Sequence, residues 1–192
     1  MEKKLEGKKV AILVADGFEQ VELTEPKQAL EAAGAITEIV SPADEEVQGW
    51  NHDEKADAFH VDVPLKRARS DDYDALLLPG GVRSPDRLRQ LTRALEFIDG
   101  FFATGKPVAA ICHASWTLIE AGVVDGRRIT SWPSLKTDLR NAGAEWVDRD
   151  VVVDNGLVSS RKPDDIPAFN RKMIDEFAEG RHENGTQFHM GA

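Results

Sequence analysis

Pro107-Val108-Ala109-Ala110-Ile111-Cys112-His113-Ala114-Ser115-Trp116-Thr117-Leu118-Ile119 carries an apolar run straight into a helix-like segment, with the chain's single cysteine at the junction. A short continuous apolar run is the pattern of a parallel strand buried on both faces. Ala110 and Ala114, two residues before and after Cys112, are both small, as a sharp strand-to-helix elbow requires. Alanine stands where hydrolase elbows usually carry glycine. A helix beginning at His113 points its first N–H groups and the positive end of its dipole at the sulfur, which lowers a thiol pKa from about 8.5 toward roughly 3.5–7.5. A lone cysteine is commonly a small buried hydrophobe. The elbow pattern and the adjacent histidine favour a nucleophile instead.

Working outward, residues 10–15 form another apolar run, read as the first strand. Thr24 reads as a helix cap with Pro26 in the first turn, and Gly34 as the end of that helix. A second strand is expected at 36–40. The polar stretch 42–66, alternating at 59–63, reads as a hairpin or excursion outside the main sheet. Residues 73–78 form a further buried strand, stopped by Pro79-Gly80-Gly81, and 88–103 read as one helix with Leu91, Leu95, Ile98 and Phe102 on its stripe. Beyond the cysteine, the pattern predicts a helix to Gly122, strands at 128–131, 146–147, 151–153 and 157–159, a helix at 135–142, and a last helix from Asp164-Asp165 through Phe177.

Strands alternating with helices imply a single α/β domain, a three-layer sandwich with a mostly parallel sheet and helices on both faces. It is expected over 9–179, with an N-terminal extension at 1–8 and a polar tail at 180–192 that is loose or covers a neighbouring subunit. Parallel sheets place their sites at the carboxyl ends of strands. That rule groups three loops: 16–23, 79–86, and Cys112-His113.

The chain has 192 residues, 41% hydrophobic and 30% charged, which is enough for one folded core. Acidic residues outnumber basic ones, 34 to 24, for a formal charge of -10, which disfavours nucleic acid as a partner. The charged start Met1-Glu2-Lys3-Lys4-Leu5-Glu6-Gly7 lacks the apolar core of a signal peptide, and no run approaches the ~20 apolar residues of a membrane span. With one cysteine and no intrachain disulfide, a cytoplasmic location is expected. His52, His60, His113, His182 and His189 show no HxxxH or CxxC spacing, and there is no GxGxxG or P-loop, so neither a metal nor a cofactor is expected.

In the first grouped loop, Glu19 and Glu22 are candidates for general acid or base work on Cys112, or for hydrogen bonding its thiolate when protonated; solvated acids before a helix are the plain alternative. Gly80 and Gly81 bring bare backbone N–H groups close to a ligand and, with the amide of His113, are candidates for an oxyanion hole. His113 is a candidate base or a polar wall.

These features together resemble the ThiJ/PfpI family of the class I glutamine amidotransferase-like superfamily. The resemblance rests on Glu19-Gln20-Val21-Glu22-Leu23, Asp74-Ala75-Leu76-Leu77-Leu78-Pro79-Gly80-Gly81, Ala110-Ile111-Cys112-His113, Asn141-Ala142-Gly143-Ala144-Glu145-Trp146-Val147-Asp148 and Leu157-Val158-Ser159-Ser160-Arg161. It runs from about residue 9 to 177 and looks most like the bacterial general stress proteins and PfpI-like intracellular proteases. It implies a flavodoxin-like fold, Cys112 as nucleophile, Glu22 as the glutamate bonded to it, and Glu19 as a second acid. It also implies backbone oxyanion donors at Gly81 and His113, and His113 as the catalytic histidine of the protease-like members. Where those members supply a triad glutamate from an adjacent subunit, this chain has Asp86, one methylene shorter, which weakens the peptidase reading. Trp132 stands where some relatives carry a tyrosine near the pocket.

The resemblance implies a stress-response protein acting as a cysteine-dependent hydrolase or lyase on small electrophilic carbonyls or glycated adducts. The alternatives are a redox sensor or chaperone working through oxidation of Cys112 and damaged protein, and an intracellular peptidase. A homo-oligomer is expected, a dimer first and a hexamer second.

Overall fold

In the computed structural model, which describes residues 3–183, the apolar runs of the sequence lie side by side and feed two cores. The first half runs β1 (Lys9–Leu13), β2 (Phe18–Glu19), α1 (Gln20–Ala32), β3 (Ile36–Ser41), β4 (Glu46–Asn51), β5 (Glu54–His60) and β6 (Val63–Pro64). There follow β7 (Ala75–Leu78), α2 (Arg83–Leu88), α3 (Thr92–Ala103), β8 (Val108–Ile111) and α4 (Ser115–Glu120). The chain continues through β9 (Arg128–Ile129), α5 (Lys136–Asn141), β10 (Glu145–Trp146), β11 (Val151–Asp154), β12 (Leu157–Ser160) and α6 (Ile166–Glu179).

The main sheet has the order β11-β12-β8-β7-β1-β3-β6, parallel throughout except for β11. Because side chains alternate along a strand, Val10, Ile12, Ala75, Leu77, Ala109 and Ile111 point to one face, packing with Leu23 and Leu30 of α1 and Phe169, Met173 and Phe177 of α6. Ala11, Leu13, Leu76, Leu78, Val108 and Ala110 point to the other, toward Phe97 and Phe101 of α3, Leu118 of α4 and Leu139 of α5. The expected three-layer α/β sandwich is thus present, and β3-β1-β7-β8-β12 is the flavodoxin strand order. The order reverses between β1 and β7. At such a switch point the loops leaving the strands part and open a crevice. Leu5 is fully buried and its N–H bonds Ala33 O at 2.9 Å, so the residues before β1 also contribute to the core. Residues 184–192 of the expected tail lie outside the described residues.

Several boundaries differ from the sequence expectation. Helix α1 starts at Gln20 rather than at Thr24, with Glu19 as N-cap and Pro26 inside the helix. Pairing of β2 with β4 carries the chain directly into the helix, so tertiary contacts override the Thr24-Pro26 start signal. Residues 83–103 form two helices, split at Leu91, whose extended backbone caps α3. The buried stripe is Ala94, Phe97, Ile98 and Phe101 rather than the one counted through Leu91, which is exposed. The excursion at 42–66 is a β4–β5 hairpin that joins β2 in its own three-stranded sheet. The run 59–63 is divided, with β6 returning to the edge of the main sheet.

Candidate active site

Strand β8 delivers Cys112 to the carboxyl end of the sheet, where its backbone takes φ +62°, a left-handed value that costs a non-glycine residue about 1–3 kcal/mol. Residues Cys112–Ala114 form a 3-10 turn, and α4 begins only at Ser115, so the helix expected from His113 starts later and is short. Ala110 and Ala114 are buried on either side of this elbow. The Cys112 carbonyl is held by the N–H of Trp132 at 3.1 Å.

The sulfur sits at the base of a cavity of about 230 Å³. Cys112 is 6% exposed, and the amides of Gly81 and His113 donate to it. Glu22, in the first turn of α1, is fully buried; its Oε2 accepts the Gly80 N–H at 2.8 Å. Its Oε1 has no hydrogen-bond partner of normal geometry, and the carboxyl's other close neighbour is the Cys112 side chain. Burial raises the Glu22 pKa to about 8 against the Gly80 amide, and nearby Glu19 pushes it the same way. Glu22 therefore carries a proton at neutral pH.

Burial likewise pushes the Cys112 thiol up, an ionised Glu22 pushes it further, and the Gly81 and His113 amides pull it back. The lowered thiol pKa expected from a helix dipole is corrected by this: the helix is too short and too late, and desolvation with a carboxyl neighbour dominates. Two such close acids titrate as a pair. Ionisation of the carboxyl near 8 sets a negative charge beside the sulfur and so opposes formation of the thiolate.

His113 Nδ1 lies 3.1 Å from Cys112 Sγ, so these neighbouring residues do point together. The imidazole stacks on Trp132 with centroids 5.6 Å apart and meets Trp116 edge-on at 5.1 Å. Burial lowers its pKa to about 4, leaving it neutral at physiological pH with Nδ1 at hydrogen-bond distance from the sulfur.

Gly80 differs from expectation. Its amide is spent on Glu22, so it positions the carboxyl rather than serving as an oxyanion donor. A Cβ there would stand 2.5 Å from Glu22 Oε2 and 2.7 Å from Cys112 Cβ, so only glycine fits. Glu19 lines the cavity, and its Oε2 accepts the His52 N–H at 3.1 Å. Asp86 is exposed on α2, outside the cavity, and among the described residues no carboxylate partners His113. Trp132 forms a wall, 37% exposed.

The cavity also takes Trp50, His52 and Asp53 from the β4–β5 turn and Arg83 from the start of α2, none of which the sequence reading singled out. Arg83 lies over the Trp50 ring at 4.0 Å. The grouping of strand-end loops already contained Arg83; the hairpin residues lay in the stretch read as an excursion, and only the polar turn Asn51-His52-Asp53 beside a tryptophan marked them.

The model of the DJ-1/PfpI family matches residues 8–176. General stress protein 18 of Bacillus subtilis is 44% identical over 170 residues, spanning 88% of this chain and 96% of that protein. YraA of Bacillus subtilis, named as a candidate cysteine protease, is 44% identical over 88% of this chain and 97% of its own length. A protein of Pyrococcus abyssi named as a deglycase is 43% identical over 86% of this chain and 97% of its own. The crystal structure of Drosophila melanogaster DJ-1beta superposes with a TM-score of 0.81 at 29% identity, covering 89% of this chain and 90% of that one. With the strand order, the elbow cysteine and its buried glutamate all in place, the match along nearly the whole domain settles the classification: this chain belongs to the DJ-1/PfpI family.

Proposed function

We propose that the chain is a stress-response enzyme that uses Cys112 as a nucleophile against small reactive carbonyl compounds or their glycated adducts. One observation carries the reading: the Cys112 thiol is held among the Glu22 carboxyl, the His113 imidazole and two backbone amides at the base of a small cavity. The names of the related stress protein and deglycase support it.

In this reading the sulfur adds to the aldehyde carbon, and the π pair of the carbonyl moves onto its oxygen. The Gly81 and His113 amides stabilise that oxyanion, the protonated Glu22 carboxyl donates its proton to it to give a hemithioacetal, and the thiol proton passes by way of His113 Nδ1 to the carboxylate left behind. With a ketoaldehyde, the same groups move the carbon-bound proton to the neighbouring carbon, which converts the adduct to a thioester. Water then releases a hydroxy acid and restores the thiol. The oxidation of one carbon balances the reduction of the other, so no external redox partner is required. The Arg83 guanidinium against Trp50 provides a cation for an anionic group on the substrate.

Two other readings have less support. A peptidase of the kind the resemblance implies needs a carboxylate on His113 from an adjacent subunit, where this chain has the shorter Asp86, and among the described residues of one chain none supplies it. A peroxide sensor requires only an oxidisable Cys112, and does not account for the imidazole and carboxyl set around the sulfur. A cytoplasmic homodimer belongs to the same proposal, with a hexamer as the alternative; among the described residues, no helix is long and apolar enough to cross a membrane. Consumption of methylglyoxal by purified protein, with buffer catalysis subtracted and Cys112→Ser alongside, tests the proposal. Loss of turnover in the variant is expected; equal rates contradict it.

A further inference from the structure

The opposite end of the sheet from Cys112 holds a second cluster of chemically active side chains. Glu176 and Glu179 lie in the last turn of α6, and Gly180, with φ +84°, turns the chain so that His182 folds back over that turn. The position of His182 is set by the backbone: its N–H donates to Gly105 O at 2.8 Å. Its ring lies against Gly156, where a Cβ would come within 2.8 Å of Cδ2. Gly105 and Gly156 precede β8 and β12, so the cluster is at the amino ends of the strands.

Glu176 is 9% exposed, although it is an acid in the last turn of α6. Its Oε2 and His182 Nε2 face each other at 3.1 Å, yet both atoms are buried and neither has a hydrogen-bond partner. An ordinary ion pair of this kind aligns an N–H with the carboxylate; this one does not. Two ligands that each lie about 2.0–2.2 Å from one metal ion stand roughly 3–3.6 Å apart, so this separation also suits a shared ion. The Glu179 carboxylate supplies a third ligand, and one donor atom from each of the three residues falls within 4.8 Å of the others. Burial and the neighbouring Glu179 push the Glu176 pKa up, and Lys172 and Asp175 act on it with opposite signs.

We propose that Glu176, Glu179 and His182 form a site for a divalent transition-metal ion, with zinc the best match to one imidazole and two carboxylates. Water completes the tetrahedron on the exposed Glu179 side. The ion joins α6 to residues 181–183 and so fastens that segment to the base of the sheet, remote from the cysteine. HxxxH and CxxC spacing rules pass over this set because it contains one histidine and depends on a glycine turn to bring it back onto the helix.

The test is zinc titration by calorimetry of the full chain carrying Cys112→Ser, which removes the competing thiol. One equivalent is expected to bind, with affinity weakened roughly tenfold or more by His182→Ala and by Glu179→Gln. Glu179 is exposed, so its variant keeps the fold if the histidine variant does not. Zinc is also expected to raise the melting temperature of the parent and not of Glu179→Gln. Absence of binding below about 1 mM, or affinity unchanged in Glu179→Gln, overturns the proposal.

Discussion

Cys112 and Asn155 both hold left-handed backbone, at φ +62° and +44°, and they do so for different reasons. Asn155 and Gly156, both at positive φ, form the two-residue turn joining antiparallel β11 and β12. Such hairpins demand positive φ, and asparagine followed by glycine meets that demand cheaply. Cysteine has no comparable preference. Its strain is borne by the parallel ladder of β8, the Trp132 N–H on its carbonyl, and the absence of side chains at Gly80. The hairpin is local turn chemistry, whereas the elbow is maintained by groups distant in sequence so that a sulfur can meet a buried carboxyl.

The largest expected effect separates the two turns by activity. Cys112→Ser is expected to remove carbonyl turnover by about 10³-fold or more, whereas Asn155→Ala leaves the rate unchanged; comparable losses in both break the contrast. Next is Glu22. Its carboxyl ionises near 4.5 in the unfolded chain and about 8 in the folded one, so between those values unfolding releases a proton that the native state retains. Its contribution to stability therefore falls as pH rises across that window. Glu22→Gln, which keeps an acceptor for Gly80, is expected to gain stability relative to the parent from pH 5 to 8.5, by at most about 5 kcal/mol. Denaturant unfolding at several pH values measures this, and a constant difference would contradict it.

Gly80→Ala sharpens the contrast from the packing side. A Cβ 2.7 Å from the Ile111 carbonyl and 2.5 Å from Glu22 Oε2 forces the backbone to move, with an expected cost of about 2–4 kcal/mol and a slower enzyme. Arg83→Ala is expected to raise KM for an anionic carbonyl substrate about tenfold with little change in kcat, and to leave a neutral aldehyde unaffected. The smallest effect is at the hairpin, where Asn155→Ala costs roughly 1 kcal/mol in thermal unfolding.

The same contrast explains what was legible in the sequence. The runs that became β1, β7, β8 and β12 are continuous and apolar because both faces of the sheet are covered, and Ala110, Cys112 and Ala114 mark the elbow by size alone. Long-range pairing decided the rest. The start of α1 is set by β2 on β4, which a cap-and-proline signal at Thr24 and Pro26 does not reveal. The donor role of Gly80 is claimed by a carboxyl 58 positions earlier. Trp50 and His52 reach the cavity only because a side sheet places their turn there.

The most direct test of the Cys112–Glu22 pair needs no knowledge of the substrate: the rate of Cys112 alkylation by iodoacetamide as a function of pH, in the parent and in Glu22→Gln. The expected result is a variant profile displaced to lower pH than the parent's by about one unit or more, because the carboxylate that opposes thiolate formation is gone. Superimposable profiles would contradict the coupling between the elbow sulfur and its buried carboxyl.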